Sequence, residues 1–355
     1  MHIYRLRNLV LFLITMQGMS FALPRLFDLY DRFGYGSLRL SYGLIKNYAI
    51  ESAVIAIHTS LWLLTWIIFK IHKTQDPFFL TNFTFLKKFV LFFVAIGFNI
   101  PIHAFGQGAG FFWTVPLQYA SLLLAVPLII QSKGAVRLLL FIFWALMHSA
   151  TGSKGGIFYF VILIYLSWPQ KINFILILTA ATTLLIGLYV SMYIRDEIEF
   201  LYLLPLIIFW REYSWEMTGL ALEYHMSGGY IPYSVLLQAL LTMLPAALHP
   251  NKIQVTHDVP KYIMPADVDL IPDAGFYFSY FSSFVLDFGY AGIGIALLMY
   301  GYFLSASVMS VRNCGIFGIG FSFLLPIHFL LNGELSFYFT HVFFGAISNF
   351  LLRLR

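Results

Sequence analysis

The chain has 355 residues, of which 60% are hydrophobic and only 10% are charged, and its mean hydropathy is +0.82. Ordinary soluble domains do not reach this composition, so the sequence predicts an integral membrane protein. In such a protein the net charge of +5 reflects basic cytoplasmic loops, which disfavours nucleic-acid binding. The single cysteine, Cys314, excludes an intrachain disulfide, and no Cys/His cluster has metal-ligand spacing, so we expect no metal and no cofactor.

Ten apolar segments approach the length of about 20 residues that a helix needs to cross a hydrocarbon core of about 30 Å. They predict an all-α fold, a polytopic transmembrane helix bundle of about 10 to 12 spans. The fifth and sixth segments are short and, joined by a glycine-rich turn, are typical of a tight hairpin that dips from the outer side. The ten segments are 9–24, 49–69, 89–105, 113–131, 136–150, 155–168, 172–194, 284–304, 315–331 and 335–352.

The distribution of charge orients these segments. With the amino terminus inside, the cytoplasmic side holds twelve basic residues and one acidic residue, for a net charge of +11, and the rest of the chain carries −6. The positive-inside rule therefore places both termini in the cytoplasm, with the first segment as an uncleaved anchor; a cleaved signal peptide is the alternative. The cytoplasmic set is Arg5, Arg7, Lys70, Lys73, Lys87, Lys88, Lys133, Arg137, Lys171, Arg312, Arg353 and Arg355, with Asp76.

Residues 195–283 form the one large extracytoplasmic loop region and hold ten of the sixteen acidic residues. Two apolar stretches within it, 200–210 and 233–248, are too short or too interrupted by proline to be assigned as spans. They are typical of interfacial or re-entrant helices, and a pair of genuine spans is the alternative. We therefore treat 1–355 as a single integral membrane domain with one outer loop region.

Glycines and a lysine mark the tip of the predicted hairpin, in the order Thr151-Gly152-Ser153-Lys154-Gly155-Gly156. Exposed backbone amides beside a lysine suit a phosphate cradle, because both present positive charge to an anion. The spacing is not that of a nucleotide P-loop, and a turn with one solvated lysine is the alternative.

Arginines and carboxylates supply the other candidates. Arg195 and Arg211 stand beside apolar segments, and the guanidinium fork matches phosphate oxygens, so they predict an anion site at the membrane surface. Glu212, Trp215 and Glu216 follow on one predicted helical face, and pairing of Arg211 with a neighbouring carboxylate is the alternative.

Candidate general bases lie further along the outer region. The acidic residues between Asp258 and Asp273 are individually most simply explained as solvated loop charges. Asp287, in the stretch Asp287-Phe288-Gly289-Tyr290-Ala291-Gly292, stands at the outer start of the eighth span. A carboxylate entering a membrane helix is costly unless it is paired, hydrated or functional, so Asp287 is the more informative of these acids.

Over residues 145–305 these features resemble the Wzy-type polymerases of O-antigen and capsule repeat units, and more distantly the O-antigen ligases. Ser153-Lys154-Gly155 resembles the Ser-Arg-Gly turn of the family, and Arg211 with Trp215 resembles its outer-loop Arg-x-x-x-Trp motif. The stretch from Phe276 to Gly292 resembles its loop-exit segment. Lysine at 154 keeps the charge of the arginine but loses its fork. The chain has no histidine between Phe276 and Ser279, where ligases carry their base, which favours a polymerase.

The resemblance implies a metal-independent, GT-C-like glycosyltransferase in the bacterial cytoplasmic (inner) membrane, with its active face on the extracytoplasmic side. Its donor and acceptor would both be undecaprenyl-diphosphate-linked oligosaccharides, surrounded by membrane lipids, and a chain-length regulator protein is a further candidate partner. The diphosphate-binding candidates are Lys154, Arg195 and Arg211. The catalytic candidates are Arg211, Asp287, Glu212 and Asp273.

Three other functions stay open at this point: a flippase or transporter of lipid-linked oligosaccharide, an O-antigen ligase, and a membrane acyltransferase. Transporters usually show internal repeats and charges in the middle of spans, and neither is evident here. The acyltransferase has only the polar cluster of Asn332, Glu334 and His341 in its favour, which packing hydrogen bonds explain equally well.

Overall fold

A computed structural model of the chain is helical, with no strand among the residues that it describes. It describes residues 2–26, 45, 47–72, 83–105, 114–151, 154–168, 174–194, 213–241, 258–264, 279–314, 343, 345–348 and 350–351. The described helices are α1 (His2–Leu26), α2 (Tyr48–Ile71), α3 (Phe85–Phe105), α4 (Thr114–Gln131), α5 (Gly134–Ser149), α6 (Lys154–Ser167), α7 (Phe174–Ile194), α8 (Tyr213–Met226), α9 (Val235–Leu241), α10 (Pro260–Ile263), α11 (Tyr280–Phe288) and α12 (Tyr290–Cys314), followed by helical residues within 343–351.

Helices α1 to α7 coincide with the first seven predicted spans, which confirms that these apolar segments are helical. Within the described residues, Tyr48–Ile71 and Phe85–Ala104 are long and apolar enough to cross a membrane. Pro116–Gln131, Gly134–Ser149 and Tyr290–Ala306 are shorter apolar helices. The predicted span 315–331 and the stretch 200–210 lie outside the described residues.

Several helices turn large apolar side chains away from the rest of the protein. Phe85, Phe89 and Phe93 follow one face of α3 at intervals of four residues, and all three are more than half exposed. Leu298 on α12 is 77% exposed. Soluble proteins rarely present such continuous apolar stripes, so these faces suit contact with lipid hydrocarbon.

Basic side chains gather at one end of the helices, where they bind backbone carbonyl groups. Arg5, near the start of α1, donates to the Trp168 carbonyl at the end of α6, at 2.7 Å. Arg137 donates to the Ser132 carbonyl just after α4, at 2.6 Å. Lys88 donates to the carbonyl of Gln131, the last residue of α4, at 3.4 Å. The last carbonyls of a helix have no partner within it, so these cations satisfy the ends of α4 and α6.

Helix α8 lies inside the protein. Every residue from Trp215 to Leu222 is buried, and the helix packs against α2 and α11. Gly219 permits a close approach, because a Cβ atom there would overlap the side chain of Ile45. The sequence predicted a helix at this position, but only the structure shows that its part from Trp215 to Leu222 is buried on all sides.

The eighth predicted span, 284–304, is two helices, α11 and α12, divided at Gly289. Gly289 has φ +60° and ψ −139°, a conformation that side-chain-bearing residues rarely adopt, and its N–H caps α11 by donating to the Val285 carbonyl. Asp287 therefore belongs to the end of α11 and not to the start of a continuous membrane helix.

Alanine at Gly289 should destabilise the protein by about 1 to 3 kcal/mol, because it forces a Cβ atom into this backbone conformation and against the ring of His225. Gly294→Ala is the matched control: Gly294 lies within α12, and a Cβ atom there meets no described atom within 4 Å. Thermal unfolding of both purified variants in detergent tests this. Equal midpoints for the two variants would contradict the conformation assigned to Gly289.

Candidate functional site

Only some of the predicted site residues lie within the described part of the chain. The Asp287 side chain lies within the described part of the chain. Lys154 is the first residue of α6, and its side chain lies outside that part. Arg195, Arg211, Glu212 and Asp273 also lie outside the described residues.

The carboxylate of Asp287 receives three hydrogen bonds from the segment that begins α9. The Val235 N–H donates to Oδ1 at 2.7 Å, the Leu236 N–H donates to Oδ2 at 2.9 Å, and the Ser234 hydroxyl donates to Oδ2 at 2.7 Å. The first amides of a helix lack partners within it and favour negative charge. Asp287 thus acts as an N-cap supplied from another helix, and it joins α9 to the end of α11.

These contacts bear on the predicted role of Asp287 as a general base. A carboxylate can accept about four hydrogen bonds, and three of its positions are used by Ser234, Val235 and Leu236. The geometry favours an anchoring role, and the catalytic role stays a prediction.

Trp215, the tryptophan of the predicted Arg-x-x-x-Trp motif, is fully buried where three other helices meet α8. Its indole N–H donates to Oε1 of Gln17 on α1 at 3.2 Å. Its ring lies 3.9 Å from the ring of His58 on α2 and 5.5 Å from the ring of Phe281 on α11. The tryptophan therefore fixes the start of α8 against α1, α2 and α11.

Glu216 is the next residue, and it too is fully buried. Its Oε1 accepts a hydrogen bond from the Ile45 N–H at 3.0 Å, which joins α8 to the segment preceding α2. A buried carboxylate is tolerated only with such partners, because removing it from water is costly. The predicted pairing of Glu216 with Arg211 stays a prediction.

A network of three buried hydroxyl groups links α8 to the start of α11. Thr218 hydrogen-bonds both Ser279 and Ser282, the latter at 3.1 Å, and the two serine hydroxyls are 2.9 Å apart. Ser279 also caps α11 by accepting from the Ser282 N–H. The hydroxyls satisfy one another, so this network positions the two helices.

A second group of polar side chains lies at the ends of α3, α4 and α5, beside the predicted phosphate turn. The Gln118 amide donates to Nδ1 of His148 and to the Thr151 hydroxyl, both at 3.1 Å. The Thr151 hydroxyl in turn donates to the His148 carbonyl at 2.7 Å. These bonds brace the end of α5 and the first residues of the hairpin tip.

The same group continues onto α3. The Asn99 amide donates to Nε2 of His103 at 3.0 Å, and His103 also hydrogen-bonds the backbone of Met147 on α5. We call this set the hairpin cluster: Asn99, His103, Gln118, Trp144, His148 and Thr151. Of these residues only Thr151 stood out in the sequence, as the first residue of the predicted phosphate turn. Polar side chains inside apolar segments were a signal that could have found the others.

Tyr233 lies outside the spans, in the turn before α9. Burial is the main cause that raises the pKa of Tyr233 to about 12, and nearby Tyr262 and Asp258 add to it. The phenol therefore keeps its proton at neutral pH, so it can donate a hydrogen bond but cannot serve as a base.

Replacing Asp287 with alanine should loosen α9, because the amides of Val235 and Leu236 lose their acceptor. We expect hydrogen exchange at these amides to rise about tenfold, the equivalent of one to one and a half kcal/mol. Asp258→Ala is the control, since the Asp258 carboxylate bonds Lys261 at 2.8 Å, whereas the amides of Val235 and Leu236 bond Asp287. Unchanged exchange in Asp287→Ala would contradict the capping role.

No protein-family model, no curated protein and no solved structure matches this chain. Its function is therefore inferred from its own residues and their geometry.

Proposed function

We propose that this protein is a membrane glycosyltransferase that joins undecaprenyl-diphosphate-linked oligosaccharide repeat units at the outer face of the bacterial cytoplasmic membrane. The observation that carries the proposal is the packing of two motif-bearing segments distant in sequence. Trp215, four residues after Arg211, lies 5.5 Å from Phe281 of α11, the helix that ends in the Asp287 turn. Two of the three segments on which the proposed resemblance rests are thus in contact.

The arrangement of charge and apolar surface supports a membrane enzyme that works on the outer side. Arg5, Lys88 and Arg137 bind carbonyl groups at one end of the helices, as expected for a cytoplasmic face. The Asp287 turn and the residues that lead into the hairpin tip belong to the opposite end. In the proposed orientation, this second end faces the lipid-linked substrates.

The reaction requires stabilisation of a leaving group and removal of one proton. The acceptor sugar hydroxyl attacks the anomeric carbon of the donor, and the bond from that carbon to the diphosphate oxygen breaks. Undecaprenyl diphosphate leaves with the electron pair, and Lys154, Arg195 and Arg211 stabilise the charge that develops on it. The hydroxyl proton passes to a carboxylate.

The contacts of Asp287 refine the choice of that carboxylate. Because three donors occupy Asp287, we assign it to holding α9, and we assign proton acceptance to Glu212 or Asp273. Asp287→Asn cannot take up the proton and keeps one acceptor oxygen for the Val235 N–H, but its NH2 group then faces the Leu236 N–H. Full elongation activity of this variant would therefore exclude Asp287 as the proton acceptor.

Purified protein supplied with lipid-linked repeat units should produce a ladder of longer lipid-linked products. Arg211→Ala should lower the rate of elongation by about 10² to 10³, because one charged donor to the leaving group is lost. Arg211→Lys should be intermediate, since it keeps the charge without the fork. Lys261→Ala, which removes an exposed basic residue of the outer region, is the control.

Absence of any ladder with chemically verified cognate units would overturn the proposed function. Full activity of Arg211→Ala would instead remove Arg211 from the site and leave the function standing. In cells, loss of a polymerase leaves single repeat units on the outer face, whereas loss of a flippase does not.

Cysteine labelling tests the orientation. In a Cys314→Ser background, a membrane-impermeant maleimide should label Ser227→Cys in intact cells and Lys133→Cys only after lysis. Ser227 follows α8 and Lys133 precedes α5, and both are exposed. Labelling of both from the same side would contradict the proposed topology.

A further inference from the structure

Three buried polar atoms of the hairpin cluster have no hydrogen-bonding partner within the described part of the chain. They are Oδ1 of Asn99, Nε1 of Trp144 and Nε2 of His148, and all three side chains are 0% exposed. An unpaired buried polar group destabilises the folded state, and such groups are uncommon in native proteins. Three such groups in one cluster indicate a binding site for a further hydrogen-bonding partner.

The known hydrogen bonds fix what each atom offers. The Gln118 amide donates to Nδ1 of His148, so the neutral imidazole carries its hydrogen on Nε2 and Nε2 is a donor. The indole Nε1 of Trp144 is always a donor. The Asn99 amide nitrogen donates to His103, so Oδ1 of Asn99 is an acceptor. The cluster thus presents two donors and one acceptor.

The three groups lie near one another at the ends of α3 and α5. Trp144 and His148 are one turn apart on α5, with their rings 5.9 Å apart. Asn99 lies one turn from His103, which binds the Met147 backbone on the same part of α5. Thr151, at the start of the hairpin tip, is bonded to the same cluster.

We propose that the hairpin cluster binds a hydroxyl group of the saccharide, and this assignment rests on the proposed function. A hydroxyl oxygen accepts hydrogen bonds from Trp144 and His148, and its hydrogen is donated to Asn99. A fully ionised phosphate has no hydrogen for Asn99 and fits less well. Because Thr151 of the cluster lies three residues before Lys154, a sugar held there would be close to the proposed diphosphate site. The three side chains are fully buried, so the sugar reaches them only if the ends of α3 and α5 move apart.

Two substitutions at His148 separate recognition from structure. His148→Asn places an amide near Nδ1, which keeps a partner for Gln118 but removes the Nε2 donor. His148→Gln reaches the position of Nε2 and can restore that donor. Trp144→Phe removes the second donor while keeping an aromatic ring, and Trp62→Phe, at a partly exposed tryptophan of α2, is the control.

The test measures the binding of two probes to full-length protein in nanodiscs: a lipid-linked repeat unit isolated from cells, and undecaprenyl diphosphate without sugar. We expect His148→Asn and Trp144→Phe each to weaken binding of the repeat unit about tenfold, with binding of undecaprenyl diphosphate unchanged. His148→Gln should recover most of the lost affinity, and Trp62→Phe should bind both probes like the parent protein.

Unchanged affinity of His148→Asn for the repeat unit overturns the proposal, and this is the result expected if an internal water molecule fills the cluster. Equal losses for both probes also overturn it, because they indicate a structural defect or a diphosphate site. The ladder assay on the parent protein is separate. If binding depends on the sugar but no ladder forms, the saccharide site is supported and the polymerase function is overturned. If a ladder forms but the variants bind normally, the function stands and the saccharide site is overturned.

Discussion

Trp215 occupies the point on which the packing of α1, α2, α8 and α11 depends. The part of α8 from Trp215 to Leu222 is buried among other helices, so each polar atom that it carries there needs a partner. Trp215 donates to Gln17, Glu216 accepts from the Ile45 backbone, and Thr218 joins two serine hydroxyls of α11. Through these bonds α8 sets the positions of α1, α2 and α11 relative to one another.

The same helix packing explains the stretch from Asp287 to Gly292 without reference to catalysis. Asp287 caps α9, Gly289 ends α11 with a positive φ, and Gly292 approaches the Phe284 carbonyl so closely that a Cβ atom would overlap it. Each residue type therefore answers a local geometric requirement. The residues of this stretch therefore have structural roles. In the proposed mechanism, the chemistry depends more on Arg211 and its neighbours.

The two ends of the helices use polar groups differently. At the basic end, cationic side chains such as Arg5 and Arg137 bind carbonyls that helix ends leave unpaired. At the other end, four neutral side chains of the hairpin cluster are buried: Asn99, Gln118, Trp144 and His148. The cations are paired with these carbonyls, whereas three buried polar atoms of the hairpin cluster have no partner among the described residues. This difference is why the hairpin cluster, and not the basic end, suggests ligand recognition.

Much of the helical framework could be derived from the sequence, because the length of an apolar run and the spacing of its charges are local properties. They located α1 to α7 and identified the basic residues that share one end. The partners of the site residues could not be derived in this way. Val235 and Asp287 are 52 residues apart, and Ile45 and Glu216 are 171 apart. Only the packing of distant helices brings such groups together, so tertiary structure alone decided that Asp287 caps α9, that part of α8 is buried on all sides, and that Asn99, Trp144 and His148 share one cluster.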